Sequence, residues 1–359
     1  MPLIDFTDKG LYCQQGQFYI DPWKPVSKAI ITHAHSDHAS SGHEYYLCHQ
    51  DTKPLLQLRL GDNHYESIAW NENVFMNGVQ VSLHPAGHMI GSSQIRVEYK
   101  GEVWVVSGDY KTEDDGISSA FEPVRCNTFI TESTFGLPIY NWKPQSIIYQ
   151  NIKDWIFKNC EEDNTSVLIA YSLGKAQRLL QPIAETGKKI FLHGAVWNAH
   201  QALVNAGWQL PEVERVWKDA PREIYKGQVV IAPSSAESSP WIKRFTPYAI
   251  GLCSGWMQVR GNVRRKNADA GFVLSDHADW KGLLQAIDAT TAQKVFVTHG
   301  FQAAFSRYLN EKGFEAAEVK TEFGEEDNEA INQLAEDQIE KSEHKQNSIN
   351  MDSDIEEKS

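Results

Sequence analysis

The sequence lacks three features that would assign it to a secreted or membrane-bound class of protein. Its 5 cysteines are scattered and form no C-x-x-C pair, which argues against a disulfide framework. No apolar run reaches the length of a membrane-spanning helix, and the N-terminus has no basic stretch followed by an apolar one. We therefore expect a cytoplasmic protein with no membrane partner.

The sequence also lacks a net positive charge, since its net charge is −13 over 359 residues. Residues 325–359 alone contain twelve acidic residues and three lysines, a net charge of −9, so the remaining residues carry only −4. The overall charge therefore does not exclude a nucleic-acid partner that binds a local basic groove. We expect residues 325–359 to form an acidic, disordered tail.

The main chemical signal is a run of metal-ligand side chains after a short apolar stretch. Residues 28–31 are predicted to end a buried strand, and we expect a turn into a helix to follow. The ligand-type residues that come next are His33, His35, Asp37 and His38. Alternation points His33 and His35 the same way, toward one cation, and the other two residues can bind a second cation beside it. These ligands suit zinc, manganese or iron, and adjacent metals suit hydrolysis at phosphorus or carbonyl carbon.

Further candidate ligands and catalytic groups follow predicted strands later in the chain. They are His88, Asp109, His277 and His299. His88 lies on a glycine-flanked loop, and Asp109 ends a very apolar strand, where a carboxylate needs a cation or hydrogen-bond donors nearby. Each residue alone has an ordinary interpretation, as a solvated histidine or a turn-capping aspartate. Their shared position at strand ends instead predicts that they converge on the first cluster.

The pattern of secondary structure predicts an insertion in the middle of the chain. Strand patterns dominate residues 1–136 and 267–324, whereas short strands and helices alternate between residues 137 and 266. Such alternation is typical of an α/β layer with parallel strands. We therefore predict a second domain inserted into the first, with boundaries near residues 137 and 266.

This order of motifs resembles the β-CASP nucleases, a metallo-β-lactamase subgroup with a cap domain inserted into the hydrolase core. The resemblance covers residues 1 to about 323. It implies an α/β fold, a metallo-β-lactamase αββα sandwich with an inserted α/β β-CASP cap. Residues 10–23, 254–257 and 275–280 look most like the bacterial DNA ligase-associated exonucleases.

The resemblance also implies a role for each candidate residue. The first metal would be held by His33, His35 and His88, the second by Asp37, His38 and His299, and Asp109 would bridge them. Glu132, which follows the next predicted strand, would orient His277, which would donate a proton to the leaving oxygen. The implied catalytic set is Asp37, Asp109, Glu132 and His277. The implied cofactors are two divalent transition-metal ions, zinc or manganese.

Basic and aromatic residues of the insertion are candidates for binding nucleic acid. The set is Arg260, Arg264, Arg265, Lys266, Trp256 and Lys175. The basic cluster at residues 260–266 lies shortly before His277, and tryptophan faces can stack on unpaired bases, which favours a single-stranded substrate. The ordinary alternative is a solvated basic loop and tryptophans that belong to the core.

We therefore predict a metal-dependent DNA exonuclease, directed to 5′ ends, that acts on single-stranded ends in DNA repair and associates functionally with a DNA ligase. An RNA-processing nuclease of the same fold is the alternative, because a histidine in the position of His299 is typical of RNA-cleaving family members. A non-catalytic scaffold would have lost ligands, and every ligand position is filled. A thioester or lactam hydrolase would not need a large cap with clustered arginines.

Overall fold

The computed structural model describes residues 2–237, 239–259 and 268–319, whose strands form three sheets. The predicted acidic tail lies outside the described residues, and so does the predicted basic cluster of Arg260, Arg264, Arg265 and Lys266. All 5 cysteines are free thiols, in agreement with the sequence analysis. Within the described residues, no helix has both the length and the apolarity needed to cross a membrane.

The first sheet carries the first ligand run at its edge. Its strands, in spatial order, are β1 (Asp5–Thr7), β2 (Gly10–Cys13), β3 (Phe18–Ile20), β4 (Ala29–Ile30), β5 (Tyr46–His49) and β6 (Tyr65–Ile68). Helix α1 (Lys53–Leu60) joins the last two strands. Strands β3 and β4 are parallel neighbours, so the residues that follow them, Asp21 and Thr32, emerge at the same edge of the sheet.

The turn after β4 differs from the sequence prediction. We expected a helix to follow, but His38 N and Ala39 N both donate to His35 O, and the helical path ends after this single turn. A helix does not place residues two apart on the same face, whereas His33 and His35 must face one point. The first helix begins only at Lys53.

The second sheet combines an antiparallel half with a parallel half. Its spatial order is β19-β18-β11-β10-β9-β8-β7. The strands are β7 (Val74–Met76), β8 (Val79–Pro85), β9 (Ser93–Tyr99), β10 (Glu102–Val106), β11 (Thr128–Glu132), β18 (Lys294–Thr298) and β19 (Glu315–Glu318). Strands β10, β11, β18 and β19 run parallel, so their C-terminal ends meet at one edge.

The third sheet is entirely parallel and is formed by the middle of the chain. Its strands are β12 (Thr165–Ile169), β13 (Ile190–Leu192), β14 (Glu214–Arg215), β15 (Val229–Ala232), β16 (Tyr248–Cys253) and β17 (Ala270–Phe272). They lie in the order β14-β13-β15-β12-β16-β17. The helices of this region are α2 (Gln145–Glu161), α3 (Lys175–Ala184), α4 (Gly194–Asn205) and α5 (Ser234–Glu237), with 3₁₀ turns at Arg222–Tyr225, Pro240–Phe245 and Gly255–Gln258.

The parallel α/β layer predicted for the insertion is present, but it extends beyond residue 266. Strand β17 pairs in parallel with β16, whereas we had assigned it to the returning strands of the first part. The alternation of side chains along a short strand shows that it has two faces, but not which sheet it joins. Only the pairing observed in three dimensions decides this.

The first two sheets pack face to face and are covered by helices on their outer faces. Alternation divides the side chains of β10, where Trp104 and Val106 face the shared core of the two sheets. Val105 points the other way, against α6 (Trp280–Thr290) and α7 (Gln302–Glu311). Helix α1 covers the outer face of the first sheet. The order of layers is helix, sheet, sheet, helix, and the mixed α/β class is confirmed.

One loop at the sheet edge is held by a close backbone contact. Gly91 follows His88 on the loop between β8 and β9, and Thr52 Oγ1 donates to Gly91 O at 2.6 Å. A Cβ at Gly91 (φ +80°) would lie 2.5 Å from Thr52 N, whereas a Cβ at Gly78 (φ +81°) would meet nothing within 4 Å. The two glycines share a left-handed backbone and differ in the space around them.

This matched pair gives a first prediction. Gly78→Ala should lower the free energy of unfolding by about 1 kcal/mol, because only the left-handed conformation is strained. Gly91→Ala adds a backbone clash and should lower it by about 3 kcal/mol or more. Urea denaturation of the two variants measures the difference. Equal losses would contradict the view that contact with Thr52 fixes this loop.

Candidate metal centre

Loops at the ends of neighbouring strands bring all the predicted metal ligands together. The first group contains His33, His35, His88 and Asp109, and the second contains Asp37, His38 and His299. Within each group the candidate ligand atoms lie within 4.8 Å of one another. All of these residues are buried except His299, which is partly buried. The four loops that carry these histidines and aspartates therefore meet, as their positions at strand ends predicted.

The first group has the geometry of a three-nitrogen site with a carboxylate beside it. His33 Nε2 and His88 Nε2 each lie 3.1 Å from His35 Nδ1. Asp109 Oδ2 lies 3.6 Å from His33 Nε2 and 3.8 Å from His88 Nε2. Nitrogen and carboxylate ligands so close together form a pocket that suits a transition-metal ion.

Two of these histidines are oriented by backbone carbonyls on the side away from the cluster. His35 Nε2 donates to Leu173 O at 3.1 Å, and His88 Nδ1 donates to Asp276 O at 2.8 Å. A carbonyl only accepts, so the proton of each ring lies on the outer nitrogen and the lone pair faces the cluster. Metal-binding histidines are held in this way, and the residues present therefore fit a metal ion.

The electrostatics of the first group agree with neutral rings. Burial, reinforced by the neighbouring imidazoles, holds the pKa of His33 and the pKa of His88 well below their ordinary value. A neutral imidazole keeps the lone pair that a metal requires. The two rings are therefore in the protonation state of ligands.

The second group surrounds its histidine with carboxylates. His38 Nε2 lies 3.4 Å from Asp109 Oδ1 and 3.8 Å from Asp37 Oδ2, and the ring of His299 stacks on His38 at 5.0 Å. Burial opposes charge here, yet Asp109, Asp37 and Asp21 raise the pKa of His38 well above its usual value. His38 Nε2 and Asp37 Oδ1 make no hydrogen bond to any residue that the structure describes. A cation would satisfy both atoms and the excess of negative charge.

Asp21 is a part of this site that the sequence analysis missed. Its Oδ2 lies 2.7 Å from His38 Nδ1 and accepts from Thr32 Oγ1 at 2.5 Å, while its Oδ1 accepts from Thr32 N at 2.8 Å. Asp21 therefore orients His38 and supports the turn that carries the ligand run. The available signal was its position directly after an apolar strand, the same pattern that singled out Asp109.

His277 and Glu132 form a third group beside the other two. His277 Nδ1 lies 2.9 Å from Glu132 Oε2 and 3.0 Å from Oε1, and Tyr110 N donates to Glu132 Oε1 at 2.8 Å. Burial disfavours a charged ring, but the carboxylates of Glu132 and Asp109 raise the pKa of His277 to about 9. Asp279, two residues further on, caps the helix that begins at Trp280, since its Oδ1 accepts from Gly282 N at 2.8 Å.

These groups open into a cleft of about 140 Å³ between the sheet edge and the middle of the chain. Phe135, Trp256 and Phe301 contribute aromatic rings to its lining, and the ring centroids of Phe135 and Trp256 are 4.8 Å apart. Lys175 also lines the cleft, with Nζ 2.8 Å from Asp276 Oδ1. Of the predicted nucleic-acid contacts, Trp256 and Lys175 therefore border the site.

Comparison with known proteins gives relatives for most of this chain. It is 30% identical over 311 residues to a probable DNA ligase of Opitutus terrae, covering 86% of this chain and 30% of that protein. It is 25% identical over 117 residues to cleavage and polyadenylation specificity factor subunit 3 of Dictyostelium discoideum, covering 32% of this chain and 15% of that protein. It is 23% identical over 191 residues to RNase aCSPSF2 of Saccharolobus solfataricus, covering 45% of this chain and 38% of that protein.

Two further comparisons concern families and solved structures. A scan against models of protein families finds no match. A crystal structure of a protein of unknown function from Enterococcus faecalis V583 superposes with a TM-score of 0.56 at 11% identity, over 82% of this chain and 79% of that one. This likeness concerns the fold alone.

The fold and the site define a mixed α/β protein with a candidate metal centre at a shared sheet edge. The relatives bear out the resemblance seen in the sequence, because the chain is similar over most of its length to a probable DNA ligase and over part of it to a cleavage and polyadenylation specificity factor subunit and to RNase aCSPSF2. The chain spans 30% of the length of the probable DNA ligase and 15% of the specificity factor.

Metal content gives the second prediction. The purified chain should bind close to two transition-metal ions, because two groups of ligand atoms share Asp109 between them. Asp109→Ala should weaken the binding of both metal ions, whereas Asp288→Ala, on the exposed face of α6, should weaken the binding of neither. Elemental analysis measures the number of bound ions, and titration against a chelator measures their affinity. Only traces of metal after reconstitution of the wild-type chain would rule out the centre.

Proposed function

We propose that the chain is a metal-dependent nuclease that hydrolyses DNA phosphodiester bonds. In this proposal it is an exonuclease that acts on single-stranded DNA from 5′ ends, in repair and together with a DNA ligase in the cytoplasm. The observation that carries the proposal is the convergence of two ligand groups on a cleft with an aromatic wall. Paired transition-metal ions, zinc or manganese, are its cofactors.

The layer order supports a specific architecture for this function. Helix, sheet, sheet and helix correspond to the metallo-β-lactamase sandwich, and the parallel third sheet corresponds to an inserted β-CASP cap. The proposed core comprises residues 1–136 and 267–324 except β17, and the cap comprises residues 137–266 together with β17. The cap and the core then both line the cleft, as Trp256 and His299 illustrate.

The metals would be held by His33, His35 and His88 on one side and by Asp37, His38 and His299 on the other, with Asp109 between. When bound, they would supply Lewis-acid activation of water and of the phosphodiester group. The proposed proton donor of the chain itself is His277, which lines the cleft and whose Nδ1 is hydrogen-bonded to Glu132. We propose that the opposite nitrogen gives its proton to the leaving oxygen.

DNA is favoured as the substrate by the most extensive of the similarities reported above. The relative that aligns with 86% of this chain is a probable DNA ligase, and a nuclease that trims ends prepares substrates for joining. The aromatic lining at Phe135 and Trp256 suits unpaired bases, because every base offers a face for stacking. The similarity supports DNA as the substrate, and the aromatic lining supports a single strand.

RNA is the second candidate, and it too has specific support. His299 lies in the second ligand group, and a histidine there resembles the RNA-cleaving members of the family. Relatives named endoribonuclease YSH1 align with part of the chain, for example at 27% identity over 143 residues in Yarrowia lipolytica. The two candidates share their chemistry and differ in the sugar that the cleft accepts.

The choice of substrate is the third prediction. Matched single strands of DNA and RNA, labelled at either end, should be digested with zinc and with manganese in parallel. We expect mononucleotides to be released first from the 5′ end of DNA, with RNA cut at least about tenfold more slowly. Faster cleavage of RNA would establish the alternative, and internal cuts would exclude the exonuclease.

The role of His277 is the fourth prediction. His277→Ala should slow turnover roughly 10²- to 10⁴-fold, because the leaving oxygen loses its proton donor. Metal content should stay at the wild-type value, because neither ligand group contains this residue. Glu132→Gln should slow turnover less, since it weakens the contact that orients the His277 ring but leaves the ring in place. If His277→Ala loses a metal ion, the role assigned to the residue is wrong.

A further inference from the structure

The segment between β12 and α3 contacts the loops that carry the first ligand group. Leu173 O accepts from His35 Nε2 at 3.1 Å, although the two residues are 138 positions apart in the chain. Gln177 stabilises this segment locally, because its Oε1 accepts from Gly174 N at 2.7 Å and its Nε2 donates to Ser172 O at 3.0 Å. The carbonyl that orients His35 therefore belongs to a rigid turn of the inserted layer.

Arg178, one turn into α3, connects the loop of His88 to the loop of Ser275 and Asp276 through its guanidinium group. Its Nη1 donates to Ser275 O at 2.9 Å, and its Nη2 donates to His88 O at 3.1 Å and to Gly87 O at 3.4 Å. Asp115 balances the charge, with Oδ2 2.7 Å from Nε and 2.6 Å from Nη2. The side chain of Arg178 is only 1% exposed. All of these carbonyls would lose a buried donor without it.

The two loops that Arg178 joins meet at a ligating ring. His88 Nδ1 donates to Asp276 O at 2.8 Å, so the loop at residue 276 sets the direction in which His88 Nε2 points. Arg178 bonds the carbonyl of His88 and the carbonyl of Ser275, the residue before Asp276. One planar, five-donor group thus fixes both partners of this hydrogen bond, which a flexible ammonium group cannot reproduce.

The second ligand group is supported differently. His38 is oriented by Asp21, which also binds both polar groups of Thr32. Asp21 and Thr32 follow the neighbouring strands β3 and β4 of the first sheet. The first sheet therefore supports the second group and also reaches His33 of the first, since Thr32 Oγ1 lies 3.1 Å from His33 Nδ1. His35 and His88 of the first group are instead supported by the turn before α3 and by the loop that Arg178 holds.

We propose that Arg178 is a positioning residue that makes the first metal site, but not the second, depend on the inserted α/β layer. The inference rests on the proposed metal centre. In it, the guanidinium holds the loops of His88 and Ser275 in register, so that three imidazole nitrogens face one point before a metal arrives. Support of this kind typically contributes 10- to 100-fold to metal affinity.

The test compares the two metal-binding steps in full-length variants. Co²⁺ is titrated against a competing chelator and followed by visible absorption. Arg178→Lys keeps the charge beside Asp115 but cannot reach all the carbonyls. We expect the Co²⁺ affinity of one step, that of the first site, to weaken about 10- to 100-fold, while the affinity of the other step changes less than about threefold. Asp21→Asn should weaken the opposite step more strongly, because Asp21 contacts His38 directly and reaches His33 only through Thr32. Lys153→Ala, which removes an exposed ion pair with Glu185, should change neither step.

Additional measurements separate positioning from simple loss of structure. Arg178→Ala should lose the same step, and added guanidinium ion should restore it in a saturable way if the variant folds. Circular dichroism reports the thermal midpoint, and Arg178→Lys decides the question if Arg178→Ala does not fold. Two unchanged steps in Arg178→Lys, or equal weakening of both, would overturn the proposal. A wild-type chain that shows fewer than two steps would instead refute the proposed metal centre.

Discussion

The structure depends on holding several buried nitrogen and carboxylate lone pairs close together. Such groups lose hydration on burial and regain it only through donors or a cation. The chain meets part of this demand itself, with Thr32 beside Asp21 and with Tyr110 N on Glu132. What is left inside the cluster is a surplus of acceptors around His35 and His38, and this surplus makes a metal centre the natural interpretation.

The sequence predicted the convergence of the candidate ligands because each loop that carries them follows a strand. The parallel strands β10, β11 and β18 end at one edge, so a polar residue after each of them must lie near the others. The same argument did not find Asp21, because the parallel pairing of β3 with β4 is not visible in two such short strands. Nor could it find Leu173 O, since a backbone carbonyl carries no residue signature. Arg178 lay on an apparently ordinary helix, and only its burial shows what it binds.

The cleft is a joint product of two parts of the fold. Its lining includes His299, after β18 of the second sheet, and His277, on the segment between β17 and α6. Tyr171 and Trp256 of the inserted layer also line it, so aromatic rings and acidic groups border the same narrow space. Substrate preference can therefore change through residues of the insertion that line the cleft without touching the ligand loops, provided that Leu173 and Arg178, which hold those loops, are kept. Lys175 is an exception, since it lines the cleft and also pairs with Asp276.

The long-range contacts of the centre also determine when it can form during folding. His35 bonds to a residue 138 positions away, His88 to one 188 positions away, and Arg178 to one 97 positions away. Contacts over such separations close large loops, which makes them slow to form. During synthesis, the first ligands emerge long before Leu173 and Asp276 exist to orient them. The centre can therefore be complete only after the inserted layer and the residues that follow it have been synthesised and have packed against the first loops.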